Sequence, residues 1–250
     1  MNSKKTVTGC LIIIGNEILS GRTQDTNLAH LAKVLNELGI SMSEARVIPD
    51  NEDKIIATVN ECRQEFDYVF TTGGIGPTHD DITADSIAKA FKKELYLHPE
   101  AEALIRQRPA PEEVMVARLR MARVPVGGEL IENPTGGPPG FQIENVFVMA
   151  GVPAVMQAMA SSFDGQRLPG GRPVRSRSVG AFLGESQVAA PLTEIQNRYT
   201  DVDLGSYPFY RKEGYGTNLV MRGVDERRLE EMRAEVIEMI VDQGGQPILD

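Results

Sequence analysis

A chain of 250 residues with 41% hydrophobic residues and 24 glycines can bury a core of its own without disulfide or metal staples. Its 26 Lys and Arg stand against 35 Asp and Glu, a formal net charge of −9, which argues against the phosphate-neutralising surface of a protein that wraps nucleic acid. Two cysteines (Cys10 and Cys62) form no C-x-x-C pair and no disulfide ladder, and three histidines (His30, His79 and His98) are too scattered for a His-built zinc site. The apolar run 10–14 behind Lys4 and Lys5 is too short for a secretion signal, and no stretch approaches the ~20 apolar residues that span a bilayer. A soluble cytoplasmic protein is expected, with no membrane partner and no nucleic-acid polymer.

In chain order, residues 7–14 (VTGCLIII) are β-branched and continuously apolar, as in a strand buried on both faces of a parallel sheet. Residues 26–38 carry a helical apolar stripe ending at Gly39, 42–48 read as a second strand, and Pro49-Asp50-Asn51 opens a helix with Ile55, Ile56, Val59 and Cys62 on one side. Residues 68–72 (YVFTT) are a third strand and 84–91 a helix. This alternation predicts an α/β domain with helices on both faces of a parallel sheet. From 95 to 124 the pattern is helical, interrupted by Pro109 and Pro111. Residues 125–140 hold nine Gly or Pro in sixteen, and no regular element is expected there. A buried strand at 145–149 and a helix to about 163 follow. After a Pro/Gly/Arg linker at 165–171, a strand, helix, two strands and a helix suggest a small α+β subdomain. The domains expected are therefore 1–165 and 172–250.

Ligands of an open parallel sheet bind beyond the carboxyl ends of its strands. Gly15-Asn-Glu-Ile-Leu-Ser-Gly21, Ile48-Pro-Asp-Asn51, Gly73-Gly-Ile-Gly-Pro-Thr-His-Asp-Asp81 and Ala150-Gly-Val-Pro153 all follow strands, and topology places them on one rim. In the third segment, glycines let backbone approach a ligand, the following helix favours an anion, and Thr78 and Thr83 add hydroxyls. Asp80 and Asp81 would repel a phosphate unless a divalent cation bridged the two. That pattern reads as metal-assisted phosphate chemistry; the alternative is that Asp81 and Thr83 cap a helix and the glycines make a turn. Glu17 is either a metal ligand or a helix N-terminal acid. Asn27 and Asn133 either bind ligand amides or cap local backbone. The aromatics of Gly205-Ser-Tyr-Pro-Phe-Tyr210 either stack on a flat ligand or form subdomain core and an edge strand. There is no P-loop, no third glycine for a Rossmann fingerprint and no nucleophile elbow.

Taken together, the Gly15–Gly21 segment, Asp25-Thr-Asn27, Gly73-Gly-Ile-Gly-Pro-Thr-His-Asp-Asp-Ile-Thr83, Asn133-Pro-Thr-Gly-Gly-Pro-Pro-Gly-Phe141 and Gly151-Val-Pro153 resemble the N-terminal region of the competence/damage-inducible protein A (CinA) family. That region is a molybdopterin-binding-like domain of the MoaB/MogA type, and the resemblance extends over nearly the whole chain. It implies a three-layer α/β/α fold with a mostly parallel sheet, and a homodimer or other homo-oligomer. It also implies a stand-alone form, since the amidase domain of full-length members is expected to be absent here. CinA-type domains resemble metal-dependent ADP-ribose pyrophosphatases, a related domain of FAD synthase is associated with FAD hydrolysis, and MogA-type relatives bind and adenylylate molybdopterin. In such relatives the functional aspartates fall in the segments that hold Asp50 and Asp81. Asn16, Ala150 and Val155 depart from the family pattern, which has Asp, Pro and Glu there. The resulting expectation is a nucleotide pyrophosphatase acting on ADP-ribose or FAD. Its divalent metal (Mg, Mn or Co) is held by Glu17, Asp80 and Asp81, and Asp50 and Asp81 are catalytic. Gly73, Gly74, Gly76, Thr78, Thr83, Asn27, Asn133 and Gly151 contact substrate. A molybdopterin-binding protein and a non-catalytic nucleotide-binding protein are the alternatives.

Overall fold

The most apolar segment of the chain lies inside a sheet. In the computed structural model, which describes residues 6–249, the first of two compact units ends at Gly171. It opens with β1 (Val7–Ile14), α1 (Asn16–Leu19), α2 (Asn27–Glu37), β2 (Ile40–Ile48), α3 (Glu52–Glu65), β3 (Tyr68–Thr72) and α4 (Thr83–Ala90). It continues with β4 (Leu95–Leu97), α5 (Pro99–Arg106), α6 (Glu112–Leu119), β5 (Arg123–Pro125), β6 (Glu129–Ile131), β7 (Gly140–Ile143), β8 (Val146–Met149) and α7 (Pro153–Ala160).

β1 pairs in parallel with β2 and β3, and β3 in parallel with β8, so the sheet runs β2-β1-β3-β8-β7-β6. Side chains of β1 alternate between two cores. Cys10, Ile12 and Ile14 meet Ile55 and Val59 of α3 and Ile87 of α4, while Leu11 and Ile13 share a core with Leu31 and Leu35 of α2 and Met156 of α7. A strand covered on both faces has no polar side to present, which explains its unbroken apolar run. The result is an α/β/α sandwich. Cys10 and Cys62 are buried free thiols, Sγ to Sγ 3.7 Å.

Two expectations need correction. Residues 95–124 hold two helices separated at Pro109–Pro111, but their ends form an antiparallel ribbon in which Leu95 pairs with Pro125. Residues 125–140 are not wholly irregular either. Glu129–Ile131 makes β6, which pairs antiparallel with β7, and β7 pairs antiparallel with β8. β6 is held by its pairing with β7 and by fully buried Ile131, and its Gly- and Pro-rich surroundings carry no sign of it.

The second unit begins at Arg172 and comprises β9 (Arg175–Ala181), α8 (Glu185–Arg198), β10 (Asp203–Arg211), β11 (Gly214–Gly223), α9 (Glu226–Asp242) and β12 (Ile248–Leu249). Its antiparallel sheet runs β10-β11-β9-β12, and Val179, Leu219 and Met221 pack there with Leu229, Met232 and Val236 of α9. Pro208 lies in the edge strand β10, where a missing N–H is tolerated. Tyr207 and Tyr210 on that strand are exposed rather than core. Among the described residues no helix is long and apolar enough to cross a membrane.

Candidate functional site

The loop after β3 is built around two glycines. Gly73 (φ 104°) and Gly74 (φ 66°) take left-handed backbone, and a side chain would strike the Ile14 carbonyl at the first and the Thr83 hydroxyl at the second. Gly73 N–H donates to the Met149 carbonyl at 3.2 Å, tying the turn to the end of β8. The Thr83 hydroxyl, fully buried, donates to the Gly73 carbonyl at 2.9 Å, and Thr83 N–H donates to the Gly74 carbonyl at 3.0 Å. Thr83 thus belongs to the framework of the loop. A side chain at Gly76 would crowd the Asp81 carboxylate.

Two carboxylates compete for one hydroxyl at the exposed crest of this loop. Thr78 Oγ1 lies 2.6 Å from Asp80 Oδ1 and 2.5 Å from Asp81 Oδ2, and Thr78 N–H donates to the same Asp81 oxygen at 2.8 Å. A hydroxyl carries one hydrogen, so it can satisfy only one of the two at a time. Hydrogen bonding from Thr78 holds Asp80 below the usual carboxylate range, aided more weakly by the charge of Arg120.

Several of the site residues line one or other of two clefts. Gly74, Gly76 and Asp81 line the first, together with Arg120, Arg123 and Phe141. Glu17, Asn27 and Gly151 line the second, with Thr72 and Asp25. Asn27 Nδ2 donates to the Gly151 carbonyl at 2.9 Å, joining the N-terminal end of α2 to the loop before α7. Asp50 Oδ2 accepts from Asn16 N–H at 2.8 Å, so this aspartate braces the loop after β1. Asn133 is buried and spent on its own loop: Oδ1 accepts from Thr135, and Nδ2 donates to the Pro138 carbonyl at 3.0 Å.

Glu17 and Asp81 therefore line different clefts. Among the described residues no three His, Cys, Asp or Glu side chains gather as a preformed metal site. At the glycine loop, Asp80 and Asp81, which share the Thr78 hydroxyl, form a carboxylate pair for a cation. Magnesium-type ions are commonly held by one or two carboxylates, with water and phosphate oxygens completing the shell, so the pair fits such an ion.

Arg120 and Arg123 were not evident from the sequence. They lie about forty positions beyond the glycine loop, Arg120 in the turn joining α6 to β5 and Arg123 at the start of β5, and only the tertiary fold brings them to it. Arg123 is committed to Asp85 through two hydrogen bonds of 3.0 and 2.7 Å. Arg120 makes no ion pair with a carboxylate among the described residues, so its charge is available to a ligand in the cleft.

Residues 10–169 match the model of the family described as "Probable molybdopterin binding domain", and residues 173–245 match that of the FAD synthase middle domain. A protein of Archaeoglobus fulgidus is 33% identical over 93% of this chain and 98% of its own. A CinA-like protein of Desulfosudis oleivorans is 38% identical over 60% of this chain, which spans 38% of that relative's length. The crystal structure of the protein CinA from Thermoplasma acidophilum is similar at a TM-score of 0.56 and 33% identity, covering 62% of this chain and 95% of that one. The chain belongs to the probable molybdopterin binding domain family and, within it, to the CinA-like proteins.

Proposed function

We propose that this protein hydrolyses a nucleotide diphosphate linkage, ADP-ribose first and FAD second. The observation that carries the reading is the Thr78 hydroxyl between two carboxylates at the end of a glycine loop, with Arg120, which makes no ion pair among the described residues, in the cleft lined by Asp81. Backbone of Gly73, Gly74 and Gly76 lets phosphate approach closely, Arg120 supplies donors to its oxygens, and Thr78 positions the two carboxylates beside it. Asp80 and Asp81 would hold a divalent cation (Mg, Mn or Co), and such an ion would supply charge neutralisation for the phosphate. Asp81 orients the attacking water, and Asp50 keeps the neighbouring loop in register through Asn16. Similarity of residues 173–245 to a domain of FAD synthase supports a flavin nucleotide as one substrate.

A second reading is favoured by the family description: the same loop holds the phosphate of a molybdopterin-type pterin. The two are separated by product analysis. Metal-dependent release of AMP from ADP-ribose or FAD, absent with chelator, supports hydrolysis. Tight pterin binding without any such product, together with loss of molybdoenzyme activity in cells lacking the protein, supports the second.

A further inference from the structure

β3 ends in two threonines, Thr71 and Thr72, whose hydroxyls are buried and, among the described residues, without hydrogen-bond partners. A hydroxyl removed from water without a partner opposes folding, and valine has the same shape without that penalty. Successive side chains of a strand point to opposite faces, so the two hydroxyls look into different layers. Thr72 shares the face of Phe70, where α2 and α7 pack, and lines the second cleft. The same cleft contains another unpartnered buried atom, Oδ1 of Asn27, a residue only 4% exposed. Because Nδ2 of that amide is committed to the Gly151 carbonyl, its oxygen remains as a free acceptor.

The chemistry of this cleft is opposite to that of the loop. Its polar lining includes Glu17, Gln24, Asp25, Asn27 and Thr72, with the Asn27 oxygen and the Thr72 hydroxyl buried in its wall, and among the described residues no Lys, Arg or His lines it. Two carboxylates without a cation repel phosphate, and the unsatisfied Asn27 oxygen can accept from a hydrogen-bond donor.

We propose that the Thr72–Asn27 cleft is a subsite for an uncharged, donor-rich part of the ligand, a sugar diol or the N–H edge of a base, joined to a phosphate that sits at the glycine loop. The subsite rests on the phosphate reading above, and it adds Thr72 as a specificity-determining residue. It also offers partners to Thr72 Oγ1 and Asn27 Oδ1, two of the buried atoms that folding alone leaves unsatisfied.

The test is calorimetric titration of wild type, Thr72→Val, Thr72→Ser and Thr71→Val with inorganic pyrophosphate, ribose 5-phosphate and AMP, alongside thermal melting. Thr72→Val should melt no lower than wild type, bind pyrophosphate unchanged, and lose about tenfold in affinity for the ligand whose donors fill the cleft. Thr72→Ser should restore that affinity. Thr71→Val, on the opposite face, should bind every ligand as wild type does. Loss for both AMP and ribose 5-phosphate identifies the sugar; loss for AMP alone identifies the base. Equal affinity of Thr72→Val and wild type for both nucleoside-type ligands overturns the subsite while leaving pyrophosphate binding intact. Failure of wild type to bind AMP or ribose 5-phosphate also overturns it, whereas failure to bind pyrophosphate is the distinct mark against the phosphate reading.

Discussion

The buried hydroxyl of Thr83, at the start of α4, donates to the carbonyl of Gly73 ten residues earlier and so fixes the shape of the phosphate-type loop. Thr83→Val leaves that carbonyl without its partner. We expect a loss of about 1–3 kcal/mol, read in chemical denaturation of the first unit. Wild-type stability combined with lost ligand binding would instead put the hydroxyl in contact with ligand.

Arg120→Ala should leave folding intact, because this half-buried side chain makes no ion pair among the described residues. If it binds phosphate, affinity for ADP-ribose should fall about ten- to a hundredfold, the range for a hydrogen bond to a charged group. The residual binding should depend less on salt. Unchanged affinity and salt dependence would remove Arg120 from the site.

The Asp80 carboxyl, held low by Thr78, should titrate below the usual aspartate range in a carbon-detected NMR titration. A folded-state pKa below the unfolded one means that its contribution is present above about pH 4 and lost as pH falls through the lower, folded value. Thr78→Val should move the midpoint back toward the ordinary value. A midpoint unaffected by that change would mean another group sets it.

In the second unit, burial and a 2.7 Å hydrogen bond to Glu235 push the Tyr199 phenol up to about 12. Because the folded pKa is raised, the contribution is complete below about pH 10 and disappears as pH rises toward 12. Tyrosinate absorbance should show Tyr199 titrating late, beside Tyr68, which burial also pushes up, and Tyr199→Phe should remove the component near 12. Its persistence in the variant would assign the late titration elsewhere.

Much of the frame was legible because the buried parallel strands carry their own signal. The run 7–14 and the segment YVFTT coincide with β1 and β3, and glycine loops follow both. The ribbon β4–β5 and the strand β6 were not legible, since three-residue strands exist only through their pairing partners. At the site, sequence pointed to the Gly73–Asp81 loop but could not distinguish a side chain facing ligand from one facing its own backbone. Thr83 and Asn133 prove to be bonded within their own surroundings. Arg120 was hidden for the opposite reason: an arginine in a charge-dense helical stretch looks like any solvated residue until the fold brings it beside Asp81. The unsatisfied hydroxyl of Thr72 is likewise a property of packing alone.

The most direct measurement is a phosphorus NMR time course of ADP-ribose with wild type and Asp81→Asn, each with magnesium, manganese or cobalt and then with chelator. Asn can still accept from Thr78 N–H, so the variant keeps the loop's hydrogen bond while losing the charge. The account predicts AMP and ribose 5-phosphate from wild type only when metal is present, with turnover reduced at least about a hundredfold in Asp81→Asn. Equal metal-dependent turnover by both proteins, or no product from the wild type with any of the three metals, would contradict it.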